Sequence, residues 1–463
     1  MNDSSRSEHR EGGLIACHEC DFLHSIQPVP AGGKALCTRC GAFLYKNIPN
    51  SLERALALNL SALMLFIMAN IFPFISLKTS GRVEETVFIS SILTFYRMGM
   101  GDVGVLVFLT SFLFPFLTIA GMLYVLLPLK YGYRLWRMAS VYRMVKAITP
   151  WSLLGVFMLG LLLSIIKLRD LATVIPGISL FSFAALLVVS SAANANLDTS
   201  VIWPHMRFDS TGNGSGSTTR QVAAAKWSYR SGEQKKLCSK NTMLQDCNTA
   251  AEWDLISCHT CNMLVPRVSL DDKGNGDCPR CESPLHSRKV NSLTRTWALV
   301  FAAALLLIPA NVFPVMTVIR FGKGDPNTIL SGVVHLIEEG MWPLAMIVFF
   351  ASLVVPILKL IVLTFLMITV KKKSSWRPRD RTILFRVTEA VGAWSMVDIY
   401  LLAMLIALVK FGFLATILPG IGATFFGAVV VTTMFAAHTF DPRLIWDNTG
   451  RNDILPDAEH RGI

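Results

Sequence analysis

Apolar residues run on in this chain for roughly 20 positions at a time with scarcely a charge among them, enough to cross about 30 Å of hydrocarbon as helix. The first run, LALNLSALMLFIMANIFPFI, occupies residues 56–75. Candidate spans lie at 52–77, 102–128, 149–168 and 173–196, and again at 293–319, 342–370, 391–410 and 413–437. Composition agrees with eight crossings: 52% of the 463 residues are hydrophobic, only 16% are charged, and mean hydropathy is +0.50. The net charge of +12 points to orientation in a bilayer and not to nucleic acid, because the basic residues crowd into particular loops.

The spans fall into two sets because the chain is written twice. At an offset of 241, Cys17, Cys20, Cys37 and Cys40 match Cys258, Cys261, Cys278 and Cys281. Asn50-Ser51 matches Asn291-Ser292, MANIFPFISL (68–77) matches PANVFPVMTV (309–318), and Pro115 matches Pro356. After a two-residue slip the offset is 243, and Trp151-Ser152 matches Trp394-Ser395, Pro176-Gly177 matches Pro419-Gly420, and Trp203 matches Trp446. This is a tandem duplication. The expected fold is an all-α polytopic membrane protein, two four-helix transmembrane units each preceded by a small zinc-ribbon-like module. Its expected divisions are a metal-ribbon module (1–50), the first unit (51–203), a flexible polar linker (204–257), a second metal-ribbon module (258–290), the second unit (291–446) and a tail (447–463). The linker contains DSTGNGSGSTTR, which cannot bury enough surface to order itself.

Loop charge gives the expected orientation. Residues 129–148 hold five basic residues and no acidic one; residues 371–386 hold seven, including Lys371-Lys372-Lys373, against Asp380 alone. Loops 78–101 and 320–341 are nearly balanced. The positive-inside rule places both basic loops, both cysteine modules and both termini in the cytoplasm. An even number of spans per unit makes the repeats parallel. No cleavable signal is visible in the polar first 50 residues.

Eight of the ten cysteines form CxxC pairs, in CHECDFLHSIQPVPAGGKALCTRC (17–40) and CHTCNMLVPRVSLDDKGNGDCPRC (258–281). Two such knuckles offer four thiolates to one tetrahedral ion in a closed structural site. A module of this size lacks a core, so the metal would supply its folding energy. Two structural zinc ions are expected, and the ligands alone leave iron open. A thioredoxin-like redox pair would need a CxxC opening a helix in a βαβ context, which the sequence does not offer. Gly41 and Asn262 ease the turns after Cys40 and Cys261. His18, His24, His259 and His286 are expected bystanders, and Cys238 and Cys247, nine apart, free thiols.

Polar groups inside spans are expensive and therefore informative. Lys359 stands mid-helix, three residues after Pro356; Ser395 and Asp398 share a face of the next expected helix; Thr432 and Thr433 follow in the last. Lys359 and Asp398 are placed to pair. Their counterparts in the first unit are Thr118 and Gly155, and that of Thr433 is Ser190, so one copy carries the charges and the other only the scaffold. Function is the preferred reading, with helix locking as the alternative. Lys167 and Lys410 read as snorkelling residues. Asn70 beside Pro73, and Asn311 beside Pro314, read as maintaining proline kinks. His335, Glu338 and Glu339 read as the solvated face of an interfacial helix on the outer side.

Tandem CxxC…CxxC modules, each leading into a helix with Asn70-Ile71-Phe72-Pro73 or Asn311-Val312-Phe313-Pro314, together with Phe440-Asp441-Pro442-Arg443 and Trp446, resemble the paraquat-inducible protein A family. The resemblance covers the chain except the linker. It implies an inner-membrane protein of Gram-negative bacteria working with a periplasmic MCE-domain partner that forms a lipid tunnel towards the outer membrane. It makes phospholipid the expected cargo and the second unit's cavity a place for lipid handling or proton coupling. No P-loop, nucleophile elbow or HExxH is present, so an enzyme is not expected. Two other classes stand beside this reading: a membrane metal or redox sensor or scaffold, and a small-solute exporter.

Overall fold

The structure is a computed structural model, and it describes residues 13–79, 82–86, 101–133, 135, 137–168, 173–198, 202–203, 249–267, 276–320, 323–338, 340–392, 400 and 415–447. The chain is mostly helical, and both units follow one plan. Unit one opens with α1 (Ser51–Ile71) and continues with α2 (Gly101–Phe108) and α3 (Phe114–Tyr131), joined by a π-helical turn at Leu109–Leu113. Then come α4 (Met138–Ile148), α5 (Leu154–Leu168) and α6 (Ile178–Asn196). Unit two has α7 (Ser292–Val312), α8 (Ile329–Glu338), α9 (Trp342–Phe349), a π turn at Phe350–Val354, α10 (Val355–Lys371), α11 (Pro378–Gly392) and α12 (Ile421–Thr439); the positions matching α8 in unit one, and those matching α5 in unit two apart from Tyr400, lie outside the described residues. Among the described residues seven helical segments are long and apolar enough to cross a membrane. The span expected at 391–410 lies outside the described residues apart from its first two positions and Tyr400.

The π turns sit where the two prolines require them. A helical proline offers no N–H and crowds the carbonyl four residues back. For Pro115 and Pro356 those residues are Ser111 and Ser352, both inside the widened turn. Widening the helix there relieves the clash, and this is the usual setting of a π bulge. Pro73 and Pro314 act differently from the kink expected of them. Each stands just past a helix end, so it stops the helix and turns the chain into a strand. Asn70 and Asn311 donate to the carbonyls four residues back, Phe66 O at 2.7 Å and Leu307 O at 2.9 Å. The carbonyl that Pro73 leaves free, that of Ala69, accepts instead from the Ser179 hydroxyl.

The strands that follow add a feature absent from the helical expectation. In unit one, β5 (Ile75–Thr79) pairs antiparallel with β6 (Arg82–Thr86) and β7 (Thr173–Pro176). In unit two, β12 (Met316–Arg320) pairs in the same way with β13 (Lys323–Asn327) and β14 (Ala415–Pro419). Each sheet closes one end of its bundle, opposite the cysteine modules. The Pro-Gly dipeptides of the repeat lock this end. Gly177 N donates to Phe74 O at 3.1 Å and Gly420 N to Val315 O at 2.8 Å. A Cβ on Gly177 would lie 2.2 Å from Pro73 O, and one on Gly420 would lie 2.1 Å from Pro314 O.

The spans share one core across the two units. Phe66, Phe157 and Phe183 pack with Val333, Tyr400 and Phe426. Phe157 and Tyr400 are matched positions of the repeat; their rings meet edge to face at 5.7 Å, and the fully buried Tyr400 hydroxyl donates to Thr110 Oγ1 at 2.6 Å. Outward faces keep large apolar side chains such as Met64, Phe181 and Phe301, exposed at 61%, 64% and 65%, as lipid-facing helices do.

Gly420→Ala is expected to destabilise the detergent-solubilised protein by about 2 kcal/mol or more, since the new methyl must displace backbone. Gly332→Ala, on an open helical surface, should be neutral or stabilising. Parallel thermal melts check both; equal melting points would refute the lock.

Candidate functional site

Each cysteine module is a pair of small hairpins. In the first, β1 (Leu14–Ala16) pairs with β2 (Leu23–Ser25), and β3 (Lys34–Leu36) with β4 (Phe43–Lys46). In the second, β8 (Leu255–Ser257) pairs with β9 (Leu264–Pro266), and β10 (Gly276–Asp277) with β11 (Pro284–Leu285). All four knuckles close alike. The first cysteine's N–H donates to the carbonyl five residues on, as in Cys17 N to Phe22 O at 2.9 Å and Cys278 N to Ser283 O at 2.8 Å. The residue after the second cysteine turns left-handed: Asp21, Gly41, Asn262 and Glu282 have φ of 62°, 71°, 56° and 53°. These turns aim both sulfurs of a knuckle at one point.

Within each set the four sulfurs lie within 4.8 Å of one another, and all eight cysteines are buried. The Cys17–Cys40 and Cys20–Cys37 sulfurs are 3.5 Å apart; Cys258–Cys281 and Cys261–Cys278 stand at 3.4 and 3.5 Å. A disulfide would need about 2.05 Å, and these cysteines are free. A tetrahedral ion with metal–sulfur bonds of about 2.3 Å places its ligands about 3.8 Å apart. The donor set therefore fits a tetrathiolate metal. His24 Nε2 lies 3.2 Å from Cys37 Sγ, closer than a bystander, and is placed to orient or donate to that sulfur. His259 faces the other way: burial, then the positive charge of Arg443, push its pKa down to about 4, and its Nε2 accepts from Arg443 at 3.3 Å.

The modules are exchanged between the units. The cysteine core of the first packs on unit two, where Cys17, Cys40 and Leu44 cluster with Phe385, Phe440 and Trp446, while Lys46 at its end keeps a bond to Ala195 O of α6. The second packs on unit one, where Cys258, Cys281 and Ile256 cluster with Met122, Tyr142 and Trp203. Matched residues make the reciprocal contacts. Arg386 of α11 donates to Cys40 O at 2.9 Å and, through Nε, to both Glu19 carboxylate oxygens at 2.8 Å. Its counterpart Arg143 of α4 donates to Cys281 O at 3.0 Å and to Glu282 O. Lys146 adds bonds to the His259 and Thr260 carbonyls. Arg39 lies over the Trp446 ring at 4.6 Å. Burial works against the Glu19 carboxylate, but hydrogen bonds from His18 and Arg386 outweigh it and hold its pKa below the ordinary value. Between the modules, Arg288 bridges Asp21 at 3.2 Å and Asp447 at 2.6 Å.

In the membrane interior Lys359 is 3% exposed, and its ammonium packs against Gly392, where a Cβ would meet Nζ at 2.7 Å. Among the described residues the carboxylate that acts on it is Glu389. Ser395 and Asp398 lie outside the described residues, as do Lys410, Glu339, Cys238 and Cys247. Thr433 is buried and donates to Val430 O at 2.9 Å, while Thr432 is half-buried. In unit one the counterpart Thr118 donates to its own helix at Phe114 O. His335 and Glu338 are exposed partners 3.7 Å apart on α8.

These features define a multi-pass membrane protein of two repeats, with a pair of four-cysteine modules that could each hold a metal ion. The family described as paraquat-inducible protein A matches residues 52–207 and 293–450, and the chain belongs to that family. It is 29% identical over 452 residues, 98% of each chain, to the intermembrane transport protein PqiA of Escherichia coli. It is 28% identical over 438 residues to the lipophilic envelope-spanning tunnel protein A of the same organism, covering 94% of this chain and 92% of that one. A probable intermembrane transport protein of Haemophilus influenzae is 26% identical over 438 residues, 94% of this chain and 95% of that one. No solved structure matches the chain.

Arg386→Gln leaves Glu19 buried beside an uncharged amide and is expected to cost about 2 kcal/mol, the partial exposure of the pair holding it below a fully buried one. Exchange predicts where damage spreads. Replacing Cys17 and Cys20 by serine should raise hydrogen exchange in α11, and replacing Cys258 and Cys261 should raise it in α4. Effects confined to the unit that follows each module would contradict the exchange.

Proposed function

We propose that this protein is the inner-membrane component of an intermembrane lipid transport system, receiving or delivering phospholipid at the base of a periplasmic MCE-domain tunnel. Three relatives named for intermembrane transport or an envelope-spanning tunnel match over nearly the whole chain, which supports the transport class. The single observation that carries the mechanism is Lys359, a buried amine inside a lipid-facing bundle, present in one repeat and replaced by Thr118 in the other. A charge kept at that cost in one copy of a duplicated scaffold reads as functional. Lys359 and Asp398 form the pair whose protonation biases two conformations of unit two, with Ser395, Thr432 and Thr433 supplying hydroxyls beside them. Both termini and both modules lie in the cytoplasm, and the sheet end faces the periplasmic partner.

In this reading the two metal ions are structural zinc, held by Cys17, Cys20, Cys37 and Cys40 and by Cys258, Cys261, Cys278 and Cys281. Bound zinc gives each module the folding energy that a core of this size lacks. A redox sensor needs accessible thiolates, and all eight are buried, so the sensor class is the weaker one.

Lys359→Met and Asp398→Asn are each expected to lower phospholipid transfer between vesicles and a reconstituted MCE partner by about tenfold or more, the usual scale for an essential proton-carrying group. Thr118→Val should leave transfer intact. Photocrosslinkers near Lys359 should capture phospholipid, and capture only at the outer belt would overturn the route. Metal analysis of the purified protein should return two zinc ions per chain and one after Cys37→Ser with Cys40→Ser.

A further inference from the structure

Arg381 stands in the first turns of α11, where long helical side chains lean back towards the helix N terminus. Its Nη2 donates to Ser374 O at 2.8 Å, ahead of the helix, so the guanidinium lies at that N terminus. The residue is only 2% exposed, yet Nε and Nη1 have no hydrogen-bond partner among the described residues. Burying a charged fork with two of its three nitrogens unmet is expensive.

Packing does not account for it. The matched position in unit one is Met138, itself 7% exposed, so the fold seats an aliphatic side chain there. Among the described residues no carboxylate pairs with it. Lys371, Lys372 and Lys373 are exposed just before the helix, and the one acid of this stretch, Asp380, lies 3.5 Å from Arg377. The free N–H groups and dipole of the α11 N terminus add to the same field. Trp376, 60% exposed, shows that the segment over Arg381 is surface.

We propose that Arg381 is the inner donor of an anion site at the α11 N terminus, taking the phosphoryl group of an anionic phospholipid at the module end of unit two. Nε–H and Nη1–H, on different edges of the planar guanidinium, are both unmet and can donate to anionic oxygens, and Lys372 and Lys373 form its cationic rim. The site is separate from Lys359 and stands or falls independently of the transport reading.

The test uses the full chain in mild detergent with phosphatidylglycerol, phosphatidylcholine or inorganic phosphate as probe. Native mass spectrometry should show retention of phosphatidylglycerol over phosphatidylcholine. Arg381→Met, a residue unit one already accommodates here, should lower that preference by about tenfold, the scale of a lost charge-assisted bond pair. Lys372→Glu with Lys373→Glu should lower it in the same direction, which keeps the test decisive if the Met variant misfolds. Equal phosphatidylglycerol retention by wild type and variants overturns the site. Stabilisation by inorganic phosphate that depends on Arg381, without any lipid preference, overturns the lipid assignment in favour of a soluble phosphate.

Discussion

Two guanidinium groups, Arg143 and Arg386, hold the architecture together at its module end. Each reaches the carbonyl of the last cysteine in a module that precedes the other unit. Backbone carbonyls at a knuckle are presented in a fixed direction only while the hairpins are closed, so the arginine bonds depend on whatever pins the sulfurs. Conversely, the modules give α4 and α11 charge-assisted partners beside the aromatic contacts each makes within its own unit, Tyr142 on Trp203 and Phe385 on Phe440. The geometry of the four-sulfur clusters and the packing of the helices are thereby linked by a handful of charge-assisted bonds.

Inside the bilayer the same two-fold logic becomes asymmetric. Phe157 and Tyr400 meet at the seam as matched residues, but only the tyrosine carries a hydroxyl, and it reaches across to Thr110 in the π turn of unit one. Lys359 and Thr118 repeat the pattern: one copy keeps a group that must be satisfied, the other satisfies itself within its own helix. Duplication thus gives unit two a fixed neighbour against which its polar interior is organised.

Much of this was legible in the sequence. Apolar blocks and the offset repeat disclosed the spans, and CxxC spacing disclosed both sets of sulfurs, because these signals are local. The short sheets were hidden because their strands sit at the ends of apolar runs, where a strand and a helix end look alike. Exchange was hidden because it pairs residues from opposite ends of the chain. Arg143 and Arg386 were visible only as positive-inside charges, although their match in the repeat was a signal that position, and not merely charge, mattered there. Arg381 escaped for the opposite reason: its counterpart is Met138, and the repeat hides what one copy alone possesses.

Exchange of the modules also bears on how such a chain arose. A single unit with one module has no second bundle on which to seat it. A half-length chain of this design could make the Arg143-type contact only by pairing side by side with a copy of itself, each monomer lending its ribbon to the other. In a single polypeptide the two halves need not be identical, and here one carries a lysine in its interior where the other carries a threonine.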